Sequence, residues 1–160
     1  MSEIINYYNQ FDEWGRLDRE PIEFQVNWHY IKKYMPKTGL VLDNGAGPGK
    51  YSMELAKDGY KVTLTDLTPK LVEIAENKAK ELGLEGQFNG FYAADARELN
   101  MIKDEQYDVS LMLGPMYHLQ EEKDRIKALK ELKRVTKKNG LVLCRFYAKN
   151  SAHTYIAFIS

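Results

Sequence analysis

Asp43-Asn44-Gly45-Ala46-Gly47-Pro48-Gly49 is the stretch whose residue types and spacing point most directly to chemistry. It follows the apolar run Leu40-Val41-Leu42 and precedes a helical segment, and its three glycines let the backbone turn tightly and lie flat against a ligand. Such a loop suits a nucleotide. It is not a P-loop, because no Gly-Lys-Ser/Thr follows, and it departs from the G-x-G-x-x-G dinucleotide fingerprint, since Lys50 stands where the third glycine belongs. A plain strand-to-helix turn needs positive φ as well, so the loop gains its meaning from the acids around it. Asp43 precedes the glycines, and Asp66 ends the next β-type run, where a carboxylate can accept hydrogen bonds from two vicinal ribose hydroxyls. Asp95, just past the third run, suits an exocyclic adenine amine, with the Ala96 amide free for a ring nitrogen. Each Asp alone also reads as a helix N-cap or turn former, but three acids at three successive strand ends point to one site. His118, after the fourth run, is the candidate general base; as a structural residue it would cap the next helix or pack beneath the sheet edge. His29 and His153 lie far from it in sequence, no two histidines have metal-ligand spacing, and no metal is expected.

The elements that must position these residues follow from periodicity. Five β-type runs, Leu40–Asn44, Lys61–Thr65, Gln87–Ala93, Tyr107–Leu113 and Leu141–Tyr147, alternate with helical segments near 49–58, 69–82, 96–102 and 120–138. That alternation predicts an α/β fold, a Rossmann-like, doubly wound parallel sheet in the order 3-2-1-4-5, with the glycine loop at the switch point between strands one and four. Thr68-Pro69 starts the second helix, Gly83 stops it, and Asn139-Gly140 is expected to stop the last, whose closing turn would hold Lys133, Arg134, Lys137 and Lys138. Before the sheet, Ile4, Tyr7, Tyr8, Phe11 and Trp14 recur at helical spacing, and Pro21 opens a second helix with Ile22, Val26, Tyr30 and Tyr34. One domain over 1–160 is therefore expected: a helical N-terminal lid at 1–38, a core at 39–149 and a tail at 150–160.

Composition agrees with a single ordinary domain. The 160 residues carry 23 basic and 23 acidic side chains, and 44% are apolar, enough for one core without disulfides or metals. Zero net charge gives no general attraction to nucleic acid or an anionic membrane. Cys144 is the only cysteine, so no internal disulfide forms, and no apolar run is long enough to span a bilayer; a cytoplasmic protein is expected.

Val41 to Gly49, then Val62-Thr63-Leu64-Thr65-Asp66-Leu67-Thr68-Pro69, then Ala94-Asp95-Ala96 resemble the consecutive motifs of class I S-adenosylmethionine-dependent methyltransferases. Leu113-Gly114-Pro115-Met116-Tyr117-His118-Leu119 and Leu132 to Leu141 are similar to the fourth-strand and pre-fifth-strand motifs of the small-molecule branch related to ubiquinone and menaquinone methyltransferases. The resemblance implies S-adenosyl-L-methionine as cofactor, with S-adenosyl-L-homocysteine as product. Gly45 and Gly47, with Ala46 between them, would pack under its methionine half, and Asp43 would orient its ammonium group. Asp66 would hold the ribose, Leu67 lie on the adenine face, Asp95 and Ala96 read the adenine edge, and the Leu113 carbonyl lie near the sulfonium. Tyr7, Tyr8 and Trp14 would close over the cation as a lid, with Tyr117 beside the acceptor.

Transfer of a methyl group by in-line displacement needs alignment and desolvation more than a triad, and His118 would serve an acceptor that must lose a proton. Gly114-Pro115-Met116-Tyr117 lacks the leading Asp or Asn and the second proline of the DNA amino-methyltransferase motif, which disfavours a nucleic-acid acceptor. The alternatives are a truncated cofactor-binding module without turnover and, further off, an NAD-dependent oxidoreductase. The resemblance also implies strands six and seven after the fifth, and these are read here as absent. The fifth strand's edge is then expected to lie open and to recruit a second copy, edge to edge or through the β-prone tail Thr154–Ile159, giving a homodimer; the competing expectation is a frayed or helical tail that covers its own sheet.

Overall fold

The computed structural model describes residues 2–10, 12–19, 21–147 and 154–159. Five strands, β1 (Leu40–Asn44), β2 (Lys61–Asp66), β3 (Phe88–Ala93), β4 (Tyr107–Met112) and β5 (Thr136–Tyr147), form the parallel part of one sheet in the order β3-β2-β1-β4-β5. The expected order holds. The central strands β1 and β4 are buried along almost their whole length because helices cover both faces, whereas β3 at the edge stays partly exposed. Leu42, Met112, Val142 and Cys144 point to one side, where Ala128 and Leu132 of α6 (Glu122–Val135) cover them. Their neighbours Val41, Val109, Leu111 and Leu143 point to the other, against Ile31 of α3 (Pro21–Tyr34) and Leu55 and Ala56 of α4 (Lys50–Lys57). Leu64 of β2 meets Val72, Ala75 and Ala79 of α5 (Pro69–Glu81) on that side. The period of two along each strand thus divides one sequence between two cores. β1 pairs with β2 on one side and β4 on the other, so the chain leaves β1 and β4 in opposite directions and a crevice opens at their carboxyl ends.

Four expectations are corrected. The N-terminal zone holds three helices rather than two: α1 (Ser2–Gln10), α2 (Glu13–Arg19) and α3. Asp12 divides the first aromatic run, its side chain accepting the Gly15 amide at 3.0 Å and capping α2. Residues 96–102 form turns instead of a helix. There the Asp95 carboxylate takes the Arg97 amide at 2.9 Å, and Glu131 of α6 takes the Leu99 amide at 2.8 Å, so both donors bond away from a helical ladder.

The last helix ends at Val135, and Thr136 already pairs with Tyr107. The Thr136 hydroxyl lies 2.7 Å from Ser110 Oγ and donates to the Leu132 carbonyl at 2.6 Å, which turns the chain from helix into sheet within one residue. Asn139-Gly140 then sits in a bulge within β5, Asn139 at φ 65°, where five residues advance against two of β4. Finally, the outer edge of β5 is not open. β6 (Thr154–Ile159) runs antiparallel along it, from Val142 opposite Ile159 to Tyr147 opposite Thr154. The tail is a strand of its own sheet, neither frayed nor helical over Thr154–Ile159, and the sheet's outer strand is β6 rather than β5.

Candidate functional site

A cavity of about 440 Å³ opens at the carboxyl ends of the strands, under the N-terminal helices. Asp43, Gly45, Ala46, Gly47, Asp66, Leu67, Asp95, Ala96, Leu113, Tyr117 and His118 all line it, and Tyr8 reaches it from α1. Tyr7 and Trp14 do not. Tyr7 is 56% exposed, and Trp14 packs beside Met53, Leu64 and Val72 with the Lys50 and Lys78 ammonium groups 5.1 and 5.4 Å from its ring centre.

The glycine loop is built by backbone bonds. Gly45 and Ala46 both donate to the Thr65 carbonyl, at 2.8 and 3.0 Å, which folds the loop over the end of β2. Gly45 has φ 74°, and a Cβ there would collide with the Pro115 ring, so only glycine lets the β1 and β4 loops close together. Asp66 fixes the other arm. Its Oδ2 accepts the Gly47 amide and its Oδ1 the Thr68 amide, each at 2.8 Å. Burial pushes the Asp66 pKa up, against the pull of those two amides.

Asp43 is deeper, 2% exposed, and accepts the Ser52 hydroxyl at 2.6 Å. Burial, with the Asp66 charge as a lesser cause, pushes its carboxyl up to about 6. Asp95 is different. Although burial acts to raise it, the Arg97 guanidinium, 2.7 Å away, and the Arg97 amide hold it below the usual carboxylate range. Arg97 also pairs with Asp124 at 2.8 Å, which ties this corner to α6.

At the opposite end the Tyr8 hydroxyl and His118 Nε2 lie 2.9 Å apart, their rings edge to face, and the Tyr117 ring lies 4.7 Å from the imidazole. Burial pushes the Tyr117 phenol up to about 12, and pushes the Tyr8 phenol up and the His118 imidazole down, so all three are neutral near pH 7.

The sequence reading did not find the charged wall of this site. Arg16 bonds Glu13 at 2.7 Å and Glu23 at 3.0 Å, and Glu23 also meets Arg145 of β5 at 2.6 Å, which joins α2 and α3 to the sheet. Glu13, Arg16 and Glu23 all line the cavity. The available signal was Arg145, a lone charge inside the apolar run Leu141 to Phe146, which folding buries to 5% and must therefore pair.

S-adenosylmethionine fits this lining by charge and by space. The ligand presents an ammonium, a sulfonium, a carboxylate and a ribose diol, and the cavity presents Asp43, Asp66 and Glu13 together with Arg16 and Lys50. A Cβ on Gly47 would meet only Glu13 Cγ at 3.6 Å, so the loop's surface faces open room rather than packed atoms. Among the described residues no group of His, Cys, Asp and Glu could hold a metal ion, and no helix is long and apolar enough to cross a membrane.

Known proteins share this chain's sequence pattern and fold. Residues 41–140 match the family model of a methyltransferase domain. The chain is 29% identical over 128 residues to the putative methyltransferase YqeM of Bacillus subtilis, covering 79% of this chain and 49% of that protein. It is 30% identical over 135 residues to a glycine/sarcosine N-methyltransferase of Parasynechococcus marenigrum, covering 82% and 47%. The chain thus spans about half the length of these curated relatives. Among solved structures, the PH0226 protein of Pyrococcus horikoshii superposes with a TM-score of 0.72 at 28% identity, over 88% of this chain and 65% of that one. With the family's glycine loop, acidic strand ends and sheet order in one cavity, this chain belongs to the S-adenosylmethionine-dependent methyltransferases.

Proposed function

We propose that the chain transfers a methyl group from S-adenosylmethionine to a small-molecule acceptor. One observation carries this reading: a single cavity joins the acidic glycine-loop end to an end closed by Tyr8, Tyr117 and His118. Asp43 and Asp66 bind the cofactor's ammonium and ribose, Leu67, Asp95 and Ala96 its adenine, and the glycine loop and the Leu113 carbonyl set its orientation. Bound there, the cofactor would supply an electrophilic methyl group to the acceptor, with S-adenosylhomocysteine as the leaving thioether. The protein aligns the two and excludes water under α1 and α2, and neutral His118 receives the proton of an acceptor that carries one. A small acceptor is supported by the enclosing helices and by a lining in which Glu3, Glu13, Glu23, Asp43, Asp66, Asp95, Glu121 and Asp124 face only Arg16, Lys50 and Arg97 as basic groups. That balance repels a polyphosphate backbone.

Calorimetry with S-adenosylhomocysteine and NAD side by side, followed by methyl transfer to a panel of amines, phenols and carboxylic acids, tests the reading. Binding of S-adenosylhomocysteine alone and turnover with a small acceptor are expected. Preference for NAD, or turnover only on nucleic acid, overturns it.

A further inference from the structure

Tyr8 of α1 and His118 stand at the acceptor end of the cavity, joined across almost the whole chain. The imidazole's Nε2 is the nitrogen that meets Tyr8, 2.9 Å from the phenol oxygen, so a proton bound for Nε2 can reach it through the phenol. The phenol itself lines the cavity. We infer that Tyr8 and His118 act as one proton relay, in which the Tyr8 oxygen takes the acceptor's proton as Tyr8 passes its own to His118 Nε2. This rests on the methyltransferase reading above. In bonds, the acceptor's O–H or N–H breaks and a new O–H forms on Tyr8; the old Tyr8 O–H breaks and N–H forms on Nε2. The electron pair freed on the acceptor is the one that takes the methyl group. The phenol is neutral before and after, and the imidazolium later returns its proton to water.

The resting geometry has the required polarity when Tyr8 donates, which leaves Nε2 unprotonated and the hydrogen on Nδ1. Burial supports it from both sides, keeping the phenol protonated and the imidazole neutral. The charged and titratable groups facing the pair are Tyr117 from the loop after β4, Glu13 and Arg16 from α2, and Asp66 from β2. Arg16 is held by Glu13 and Glu23, so no lone cation stands among them to compete for the proton. A relay also gives α1 a part in chemistry. Until α1 docks, His118 lacks the phenol through which it reaches the acceptor.

The test uses the full chain labelled with ¹⁵N-histidine, with S-adenosylhomocysteine present. The wild type is expected to show His118 as the Nδ1–H form with a hydrogen-bonded Nε2, and Tyr8→Phe to shift the His118 signals while those of His29 stay put. In methyl transfer, Tyr8→Phe, His118→Asn and the double variant should each lose about 10²-fold or more in kcat, the double no worse than either single, because two members of one relay are lost together. Cofactor affinity should stay within about twofold of wild type. An Nε2–H form in the wild type, unmoved His118 signals in Tyr8→Phe, or additive kcat losses overturn the relay. Should Tyr8→Phe misfold, the wild-type tautomer and the His118→Asn rate still decide it. Failure to bind S-adenosylhomocysteine at all would instead overturn the methyltransferase reading.

Discussion

At the scale of single residues, the two buried carboxylates at the glycine loop have different tasks and give different predictions. Asp43 keeps its proton up to about pH 6 in the folded protein, whereas the unfolded chain releases it in the ordinary carboxylate range. Between those values the folded state holds the extra proton, so the stability this group contributes is full below the ordinary range and is lost as pH rises through about 6. Ligand binding runs the other way, since only the ionised carboxylate attracts an ammonium. S-adenosylhomocysteine affinity, followed by calorimetry, is therefore expected to fall as pH drops below about 6, and Asp43→Asn to flatten that limb. A wild-type affinity independent of pH over this range would remove Asp43 from contact with the ligand's ammonium. Asp66 holds the Gly47 and Thr68 amides as well as facing the cavity. Asp66→Ala should weaken S-adenosylhomocysteine by about 1.5–3 kcal/mol, the scale of hydrogen bonds to a charged group, and unchanged affinity would exclude it from the site.

At the scale of elements, the passage from α6 to β5 depends on one hydroxyl. Thr136 bridges Leu132 of the helix and Ser110 of β4, and Ser110 is fully buried. Thr136→Val keeps the shape but leaves Ser110 and the helix end short of a partner, so a loss of about 1–3 kcal/mol is expected in denaturant unfolding. A change within about 0.5 kcal/mol would show that the junction is set by packing alone. The same junction explains a misplaced boundary. Asn139-Gly140 is a good helix stop by composition, yet Thr136 stops the helix first because it is β-branched and its hydroxyl finds both partners, and the Asn-Gly pair is left to form the bulge.

For the whole molecule, the consequential event is the return of the tail to β5. With that edge paired, the full chain is expected to scatter light as one chain of 18.6 kDa across concentrations. Removing 154–159 reopens the ladder beside Val142, Leu143 and Cys144, and the mass should then rise with concentration. Equal behaviour of the two forms would mean that the edge does not control association.

What could be read from the chain alone was local. Glycines beside Asp43, acids at the ends of β-type runs and apolar alternation are each written within a few neighbouring residues, so the parallel sheet, its order and the cluster Asp43, Gly45, Gly47, Asp66, Asp95 and His118 around one crevice followed from the sequence. The tertiary structure decided what depends on distant partners. Nothing near Tyr8 in sequence distinguishes it from Tyr7, yet Tyr8 meets an imidazole 110 residues away while Tyr7 is 56% exposed. Arg145 and Glu23 could be matched only once α3 lay against the sheet, and the pairing of Thr154–Ile159 with β5 joins segments that no local pattern links. Periodicity states which face of an element is buried; the partner that buries it is set by packing and loop closure over the whole chain.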